Sequence, residues 1–102
     1  GALRSALSLR VKEDAVTVVS SLAWDAPSTK TLKQKLEQLS VGSGRVLLVD
    51  LKPSKSLYLS ARNLQKISVR SAGAVHAYDV LAAHNVIISE EAALNLEERL
   101  QR

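Results

Sequence analysis

The fold is set by Arg45-Val-Leu-Leu-Val-Asp50, an apolar run of four residues with polar ends between Gly44 and Lys52. Such a run suits a strand that is buried on both faces, as strands in parallel sheets are. Asp50 marks the carboxyl end of this strand, which is where α/β domains place their ligands. The run therefore predicts a strand inside the sheet of a small α/β domain.

Three further apolar runs resemble this one, and helical patterns separate them. The four strands are expected near residues 15–22, 45–50, 67–70 and 85–88. The alternation of strands and helices predicts an α/β fold, a three-layer sandwich with a four-stranded parallel sheet flanked by helices. Residues 67–70 alternate between apolar and polar side chains, which is typical of a strand at the edge of a sheet.

Leucine and alanine residues at helical spacing predict the helices. The first helix is expected over 2–12. The second should start at Ser28 with Leu32, Leu36 and Leu39 inward, and the third at Pro53-Ser54 with Leu57, Ala61 and Leu64 inward. The fourth is expected over 77–83, and the fifth should start at Ser89. Serine at 28 and 89 is a good N-cap. The expected breaks are a turn at Glu13-Asp14, the end of the first strand at Trp24-Asp-Ala-Pro27, the end of the second helix at Gly42 and Gly44, and the end of the fourth helix at Asn85.

Length and composition limit the class of protein. The 102 residues suffice for one domain, and a hydrophobic fraction of 46% allows a real core. The sequence contains no cysteine, which excludes a disulfide framework and cysteine-based zinc sites. No apolar run approaches the roughly 20 residues of a membrane-spanning helix. Because the sequence contains no methionine, we expect residues 1–102 to be a fragment of a longer chain.

The formal net charge of +4 is distributed unevenly along the chain. Residues 26–70 contain nine Lys or Arg against Glu37 and Asp50, whereas residues 89–102 contain four Glu against two Arg. A central segment with this much positive charge suits a polyanionic partner such as nucleic acid, although a solvated lysine face would give the same pattern. The sequence shows no aromatic residues interleaved with these cations, so RNA would be held through phosphates and shape.

Three kinds of enzyme or ligand site are disfavoured by the residue patterns. A phosphate loop needs a strand, then glycines, then a helix, whereas Val41-Gly-Ser-Gly-Arg45 follows a helix and precedes a strand. His76, Asp79 and His84 form a possible metal trio, but the two histidines lie eight residues apart and no further acid or cysteine supports them. No Gly-x-Ser-x-Gly elbow of a hydrolase occurs. The sequence thus predicts no catalytic residues, no metal and no cofactor.

A receiver-like domain that accepts a phosphoryl group on Asp50 is the sharpest alternative among enzyme-like functions. Such a site also needs an acidic pair after the first strand and a lysine after the last one. The chain offers only Asp25 after the first strand, and Ser89-Glu90 after the last. The receiver hypothesis therefore fits poorly.

Five stretches in order resemble the large-subunit ribosomal protein four family. They are Gly1-Ala-Leu-Arg-Ser-Ala-Leu-Ser8, Ala26-Pro-Ser-Thr-Lys30, Leu59-Ser-Ala-Arg-Asn-Leu64, Ala77-Tyr-Asp-Val-Leu81 and Ala93-Leu-Asn-Leu-Glu-Glu-Arg-Leu100. No single stretch is specific, but together they cover essentially the whole chain with their spacing intact. Two departures are the absence of the family's N-terminal part and long basic loop, and Ser28 in place of a lysine common in the family.

The resemblance implies a structural constituent of the large ribosomal subunit that binds rRNA through a basic surface and supports subunit assembly. It implies that the 45–50 and 86–88 strands are central. It implies rRNA contacts by Arg4, Arg10, Lys30 and Arg62, and a hydrogen bond from Asn63, for which a helix C-cap is the equal alternative. Charge alone adds Lys33, Lys35 and Lys55. Tyr78 and Asp79 are expected to stabilise the fold instead.

The partners expected from the resemblance are large-subunit rRNA and neighbouring ribosomal proteins, without a membrane or a small-molecule substrate. The location expected is the cytoplasmic ribosome, with an organellar ribosome left open. The competing hypothesis is a protein-interaction module that docks a partner through the acidic final helix, where Glu97 and Glu98 lie.

Overall fold

The computed structural model describes residues 1–22, 28–39 and 44–101, which form a parallel sheet with helices on both faces. The elements in order are α1 (Ala2–Lys12), β1 (Val16–Val19), α2 (Thr29–Gln38), β2 (Val46–Asp50), α3 (Lys55–Ala61), β3 (Ile67–Ser71), α4 (Ala77–Ala82), β4 (Asn85–Ser89) and α5 (Glu90–Leu100). The predicted three-layer α/β sandwich is confirmed. The expected breaks at Trp24-Asp-Ala-Pro27 and Gly42 lie outside the described residues.

The strands lie in the order β1-β4-β2-β3, and every neighbouring pair is parallel. Leu48 in β2 is therefore flanked by Ile87 of β4 and Val69 of β3. β2 and β4 are the central strands and β3 is an edge strand, as the apolar patterns predict.

The apolar run of β2 divides between two cores, one on each face of the sheet. Leu47 and Val49 pack in the core beneath α1, α4 and α5, whereas Val46 and Leu48 pack beneath α2 and α3. All four side chains are at most 4% exposed. Burial on both faces is the reason why four apolar residues follow one another without a polar break.

Three predicted boundaries were wrong. α3 ends at Ala61, so Leu64, which was expected on this helix, lies beyond its end. β1 ends at Val19 rather than at residue 22, because it pairs only with β4, and Ser89, the partner of Val19, is the last residue of that strand. Asn85 does not end the fourth helix. It begins β4, and the helix stops earlier because Ala83 has the extended backbone (φ −98°, ψ 143°) that leads into the strand.

Three serines cap the helices that follow strands or loops, two of them as predicted. The Oγ of Ser28 accepts the Thr31 N–H at 3.1 Å, and Ser54 and Ser89 accept equivalent N–H groups in α3 and α5. The expected turn at residues 13–14 is also present, with Asp14 at φ 57°, a left-handed conformation that aspartate tolerates better than most residues. No helix of the described part of the chain is long and apolar enough to cross a membrane.

Candidate nucleic-acid interface

The uneven charge along the chain becomes a difference between the two helical layers. The α2–α3 layer, described here as residues 28–39 and 51–66, carries seven Lys or Arg, and Glu37 is its only acid. On the other side of the sheet, residues 2–14, 76–83 and 90–101 carry four Lys or Arg against seven acids. The basic surface predicted from the sequence is therefore one face of the molecule.

Ser60 joins the start of α2 to the last turn of α3. Its Oγ accepts the Ser28 N–H at 2.8 Å and donates to the Ser56 carbonyl at 2.7 Å. The Thr29 hydroxyl donates to the Ser60 carbonyl at 3.0 Å. Ser60 is 1% exposed and its three hydrogen bonds are part-buried, and together they fix how the two helices meet.

Four of the predicted contact residues follow in sequence the residues that form this junction. Lys30 follows Thr29 directly, and Arg62 lies two residues after Ser60. Lys33 lies one turn further along α2, and Asn63 follows Arg62. All four side chains are exposed, so their donors face solvent. The α2–α3 junction, defined by Lys30, Lys33, Arg62 and Asn63, is the candidate site.

Arg62 rather than Asn63 is the C-cap of α3, with φ −61° and ψ −26°. The Arg62 N–H donates to the Tyr58 carbonyl at 3.0 Å and continues the helical turn. The C-cap alternative considered for Asn63 is therefore wrong by one position. The Asn63 amide extends beyond the helix and is exposed.

Sequence reasoning missed Tyr58, which lies on α3 between two cations. Lys55, Tyr58 and Arg62 follow the i, i+3, i+7 spacing of one helical face, and all three are exposed. The Tyr58 side chain is 44% exposed. An aromatic ring between cations is what a platform for an unpaired base requires. The spacing was present in the sequence, so the statement that no aromatic residue interleaves with the cations was wrong.

The other predicted contact residues lie elsewhere. Lys55 is exposed at the start of α3, and Lys35 is half-buried on α2 with an interaction inside the protein. Arg4 and Arg10 are on α1, which packs against the opposite face of the sheet. The eight predicted residues thus form one cluster, two outlying lysines and a separate pair of arginines.

Arg10 is held by the protein itself. Its Nε donates to the Val80 carbonyl at 3.3 Å and its Nη2 to the Leu81 carbonyl at 2.7 Å. Its Nη1 forms an ion pair with the Glu13 carboxylate at 2.8 Å. The side chain is 15% exposed. These contacts join α1 to the end of α4, whereas Arg4 lies exposed on the same helix.

Asp50 takes part in the fold at the carboxyl edge of the sheet, where the receiver alternative placed a phosphoryl site. Its Oδ1 accepts the Ser89 hydroxyl at 2.7 Å and the Leu51 N–H at 2.8 Å. The adjoining cavity of about 180 Å³ is lined in part by Lys52 and Glu91. The described residues that line it just after β1 are Ser20 and Ser21, which do not supply the acidic pair that a receiver-like site needs there.

The residues of the dismissed metal trio also make contacts within the fold. The His76 N–H donates to Asp79 Oδ2 at 2.9 Å, and Asp79 Oδ1 lies 3.4 Å from Nε of Arg70. His84 Nδ1 accepts the Arg45 N–H at 2.9 Å. No group of three possible metal ligands occurs among the described residues. Asp79 stabilises the fold as expected, but Tyr78 is 79% exposed and was wrongly expected to do so.

Comparisons with known proteins agree with the resemblance found in the sequence. The sequence model of the ribosomal protein L4/L1 family matches residues 1–99. The chain is similar to large ribosomal subunit protein uL4 of Aggregatibacter actinomycetemcomitans, with 37% identity over 100 residues, which are 98% of this chain and 49% of that protein. It is also similar to uL4 of Phocaeicola vulgatus, with 33% identity over 99 residues, 97% of this chain and 48% of that protein. The chain spans about half the length of the curated relatives it matches.

Proposed function

The chain belongs to the ribosomal protein L4/L1 family, and from this membership we propose that it is a structural constituent of the large ribosomal subunit. In this proposal the α2–α3 layer binds rRNA and thereby supports assembly of the subunit. The partners are rRNA and neighbouring ribosomal proteins, and the protein acts in the cytoplasmic ribosome or an organellar one. The named relatives are ribosomal proteins rather than enzymes.

The α2–α3 junction is the observation that carries this proposal. Ser60 fixes the start of α2 against the end of α3, so the backbone next to Lys30 and next to Arg62 is held in place before any partner arrives. Cations on a fixed scaffold lose less conformational entropy on binding than cations on a flexible tail. A fixed pair of this kind supports a specific site on folded RNA rather than general attraction to polyanions.

The chemistry of the junction matches the RNA backbone. Arg62 offers a planar guanidinium that can hold two phosphate oxygens at once, and Lys30 and Lys33 offer point charges. Each neutralised phosphate releases condensed counterions, so affinity falls steeply with salt. Tyr58 adds a ring on which an unpaired base can stack beside Arg62. The layer therefore contains both general and base-directed means of binding RNA.

The test is binding of the chain to the 5′ domain of large-subunit rRNA, measured at several salt concentrations by anisotropy of labelled RNA. An unrelated structured RNA of equal length serves as the control RNA. The double variant Lys30→Ala with Arg62→Ala should bind more weakly and reduce the slope of log affinity against log salt by about 1.4 to 1.8. Lys12→Ala, which removes an exposed cation from the opposite layer, should leave both quantities unchanged.

If the chain is instead a protein-interaction module, the acidic residues of α5 should matter and the basic residues of the junction should not. Glu97→Gln with Glu98→Gln would then abolish partner capture, whereas the Lys30 and Arg62 variants would have no effect on it. Equal and weak binding of the wild-type chain to both RNAs would overturn rRNA recognition by these residues.

A further inference from the structure

A groove of about 540 Å³ opens at the amino-terminal edge of the sheet, next to the α2–α3 junction. It lies where β2 and β3 begin, between the second half of α2 and the loop that follows α3. Lys33 and Asn63 belong to both the junction and the groove. The volume falls within the range of about 300–1,000 Å³ that is usual for small-molecule sites.

The groove has aliphatic walls and a polar rim. The aliphatic side chains are those of Leu36, Val46, Leu64 and Ile67, of which Leu64 and Ile67 are only half-buried. Apolar surface that stays partly wet next to a basic face favours an occupant with an apolar part attached to negative charge. An unpaired nucleotide has this combination of properties.

The rim carries groups that can read the edge of a base. Asn63 and Gln65 each present an amide that both donates and accepts, and both side chains are exposed. Glu37 presents a carboxylate, which only accepts. Lys33 lies on the same rim, where it can neutralise the phosphate of the nucleotide.

We propose that this groove receives one unpaired nucleotide whose base carries an exocyclic amino group, as cytosine, adenine and guanine do and uracil does not. The inference rests on the proposed function, since the nucleotide would belong to the RNA held at the junction. The base lies against the aliphatic walls, and the amides of Asn63 and Gln65 form hydrogen bonds with its edge. The Glu37 carboxylate accepts a hydrogen bond from its exocyclic amino group. Uracil presents a carbonyl at the position where cytosine presents this amino group, so the groove discriminates against it.

The groove is tested directly with nucleotides, without rRNA. The 15N-labelled chain is titrated with CMP, UMP and inorganic phosphate, and amide chemical shifts are followed by NMR. CMP should shift the backbone and side-chain resonances of residues 63–67 with millimolar affinity, at least about threefold tighter than UMP. Inorganic phosphate should leave these resonances in place.

Variants identify the groups that recognise the base. The double variant Asn63→Ala with Gln65→Ala should weaken the binding of CMP about tenfold, because two neutral hydrogen bonds are lost. Glu37→Gln should bring CMP and UMP to equal affinity. Gln34→Ala removes an exposed amide from α2 outside the groove and should change nothing.

Three outcomes would overturn the inference. They are no shifts at residues 63–67, the same shifts with inorganic phosphate, and equal binding of CMP and UMP by the wild-type chain. If the chain still binds rRNA through Lys30 and Arg62, these outcomes leave the proposed function standing. Conversely, CMP binding in the groove by a chain that fails to prefer its rRNA would overturn the proposed function alone.

Discussion

The Ser89 hydroxyl donates to Asp50 Oδ1 at 2.7 Å and so joins the carboxyl ends of the two central strands. The same Ser89 oxygen accepts the Ala92 N–H at 3.2 Å and caps α5. Ser89 is only 2% exposed, so its loss would leave the Ala92 N–H without this buried partner. One side chain thus holds together β2, β4 and the final helix, and it uses the aspartate that a receiver-like site would have needed free.

Ser89→Ala should therefore lower the free energy of unfolding by about 2–4 kcal/mol, through the lost cap and the lost hydrogen bond to a carboxylate. Ser54→Ala is the matched control, because Ser54 caps α3 through the Leu57 N–H at 3.1 Å and bonds no carboxylate of the described residues. It should cost only about 1 kcal/mol. Urea unfolding followed by circular dichroism measures both. Equal losses would show that the bond to Asp50 contributes nothing.

Gly44 is required because the loop before β2 passes close to His84. An added Cβ at residue 44 would lie 2.5 Å from Cγ of the His84 ring. That ring is fixed, since its Nδ1 accepts the Arg45 N–H at 2.9 Å and the His84 N–H donates to the Arg45 carbonyl at 2.8 Å. Either the ring or the loop must move to admit a methyl group.

Gly44→Ala should destabilise the fold by about 1–3 kcal/mol, the usual cost of overpacking. Gly73→Ala is the control, because no atom of the described residues beyond its chain neighbours lies within 4 Å of an added Cβ there, and the φ of Gly73 is not positive. It should stabilise the protein by about 0.4–1 kcal/mol, through reduced entropy of the unfolded chain. In thermal unfolding, Gly44→Ala should lower the melting temperature and Gly73→Ala should raise it. A neutral Gly44→Ala variant would count against a fixed His84 ring.

Arg10 and Arg4 carry equal charge on α1 but should respond differently to substitution. Arg10→Ala removes donors to two carbonyls near the end of α4 and should lower the free energy of unfolding by about 1–2 kcal/mol. Arg4→Ala removes an exposed side chain and should stay within about 0.5 kcal/mol of wild type. Denaturant midpoints measured on both variants check the difference. Equal midpoints would mean that the contacts of Arg10 add no stability.

The sheet could be predicted from the sequence because its signal is local. Consecutive apolar residues at Val46–Val49 require apolar neighbours on both faces, and serine at 28 and 89 favours the start of a helix. The length of β1 could not be predicted, since it depends on where its partner strand stops. Ser20, Ser21 and Leu22 contain no residue that would by itself end a strand at Val19.

The site was only partly predictable, because it depends on packing between distant residues. Nothing local relates Ser28 to Ser60, yet their contact sets how the start of α2 meets the end of α3. Charge alone could not separate Arg10 from Arg4, because the carbonyls that hold Arg10 lie 70 and 71 residues further along the chain. Tyr58 is the exception. Its helical spacing from Lys55 and Arg62 was readable in the sequence and was overlooked.

Tyr58 and Tyr78 give the sharpest test of base stacking, because both are exposed tyrosines on helices of opposite layers. They are 44% and 79% exposed, respectively, so alanine at either position opens no large cavity. Tyr58→Ala should weaken binding to the 5′ rRNA domain by about 1–3 kcal/mol, the usual contribution of one stacked base. Tyr58→Phe should retain most of the affinity, since stacking uses the ring rather than the hydroxyl. Tyr78→Ala should bind as wild type does. Anisotropy titrations at constant salt measure all three variants, and an equal loss at both tyrosines would contradict a specific role for the α2–α3 layer.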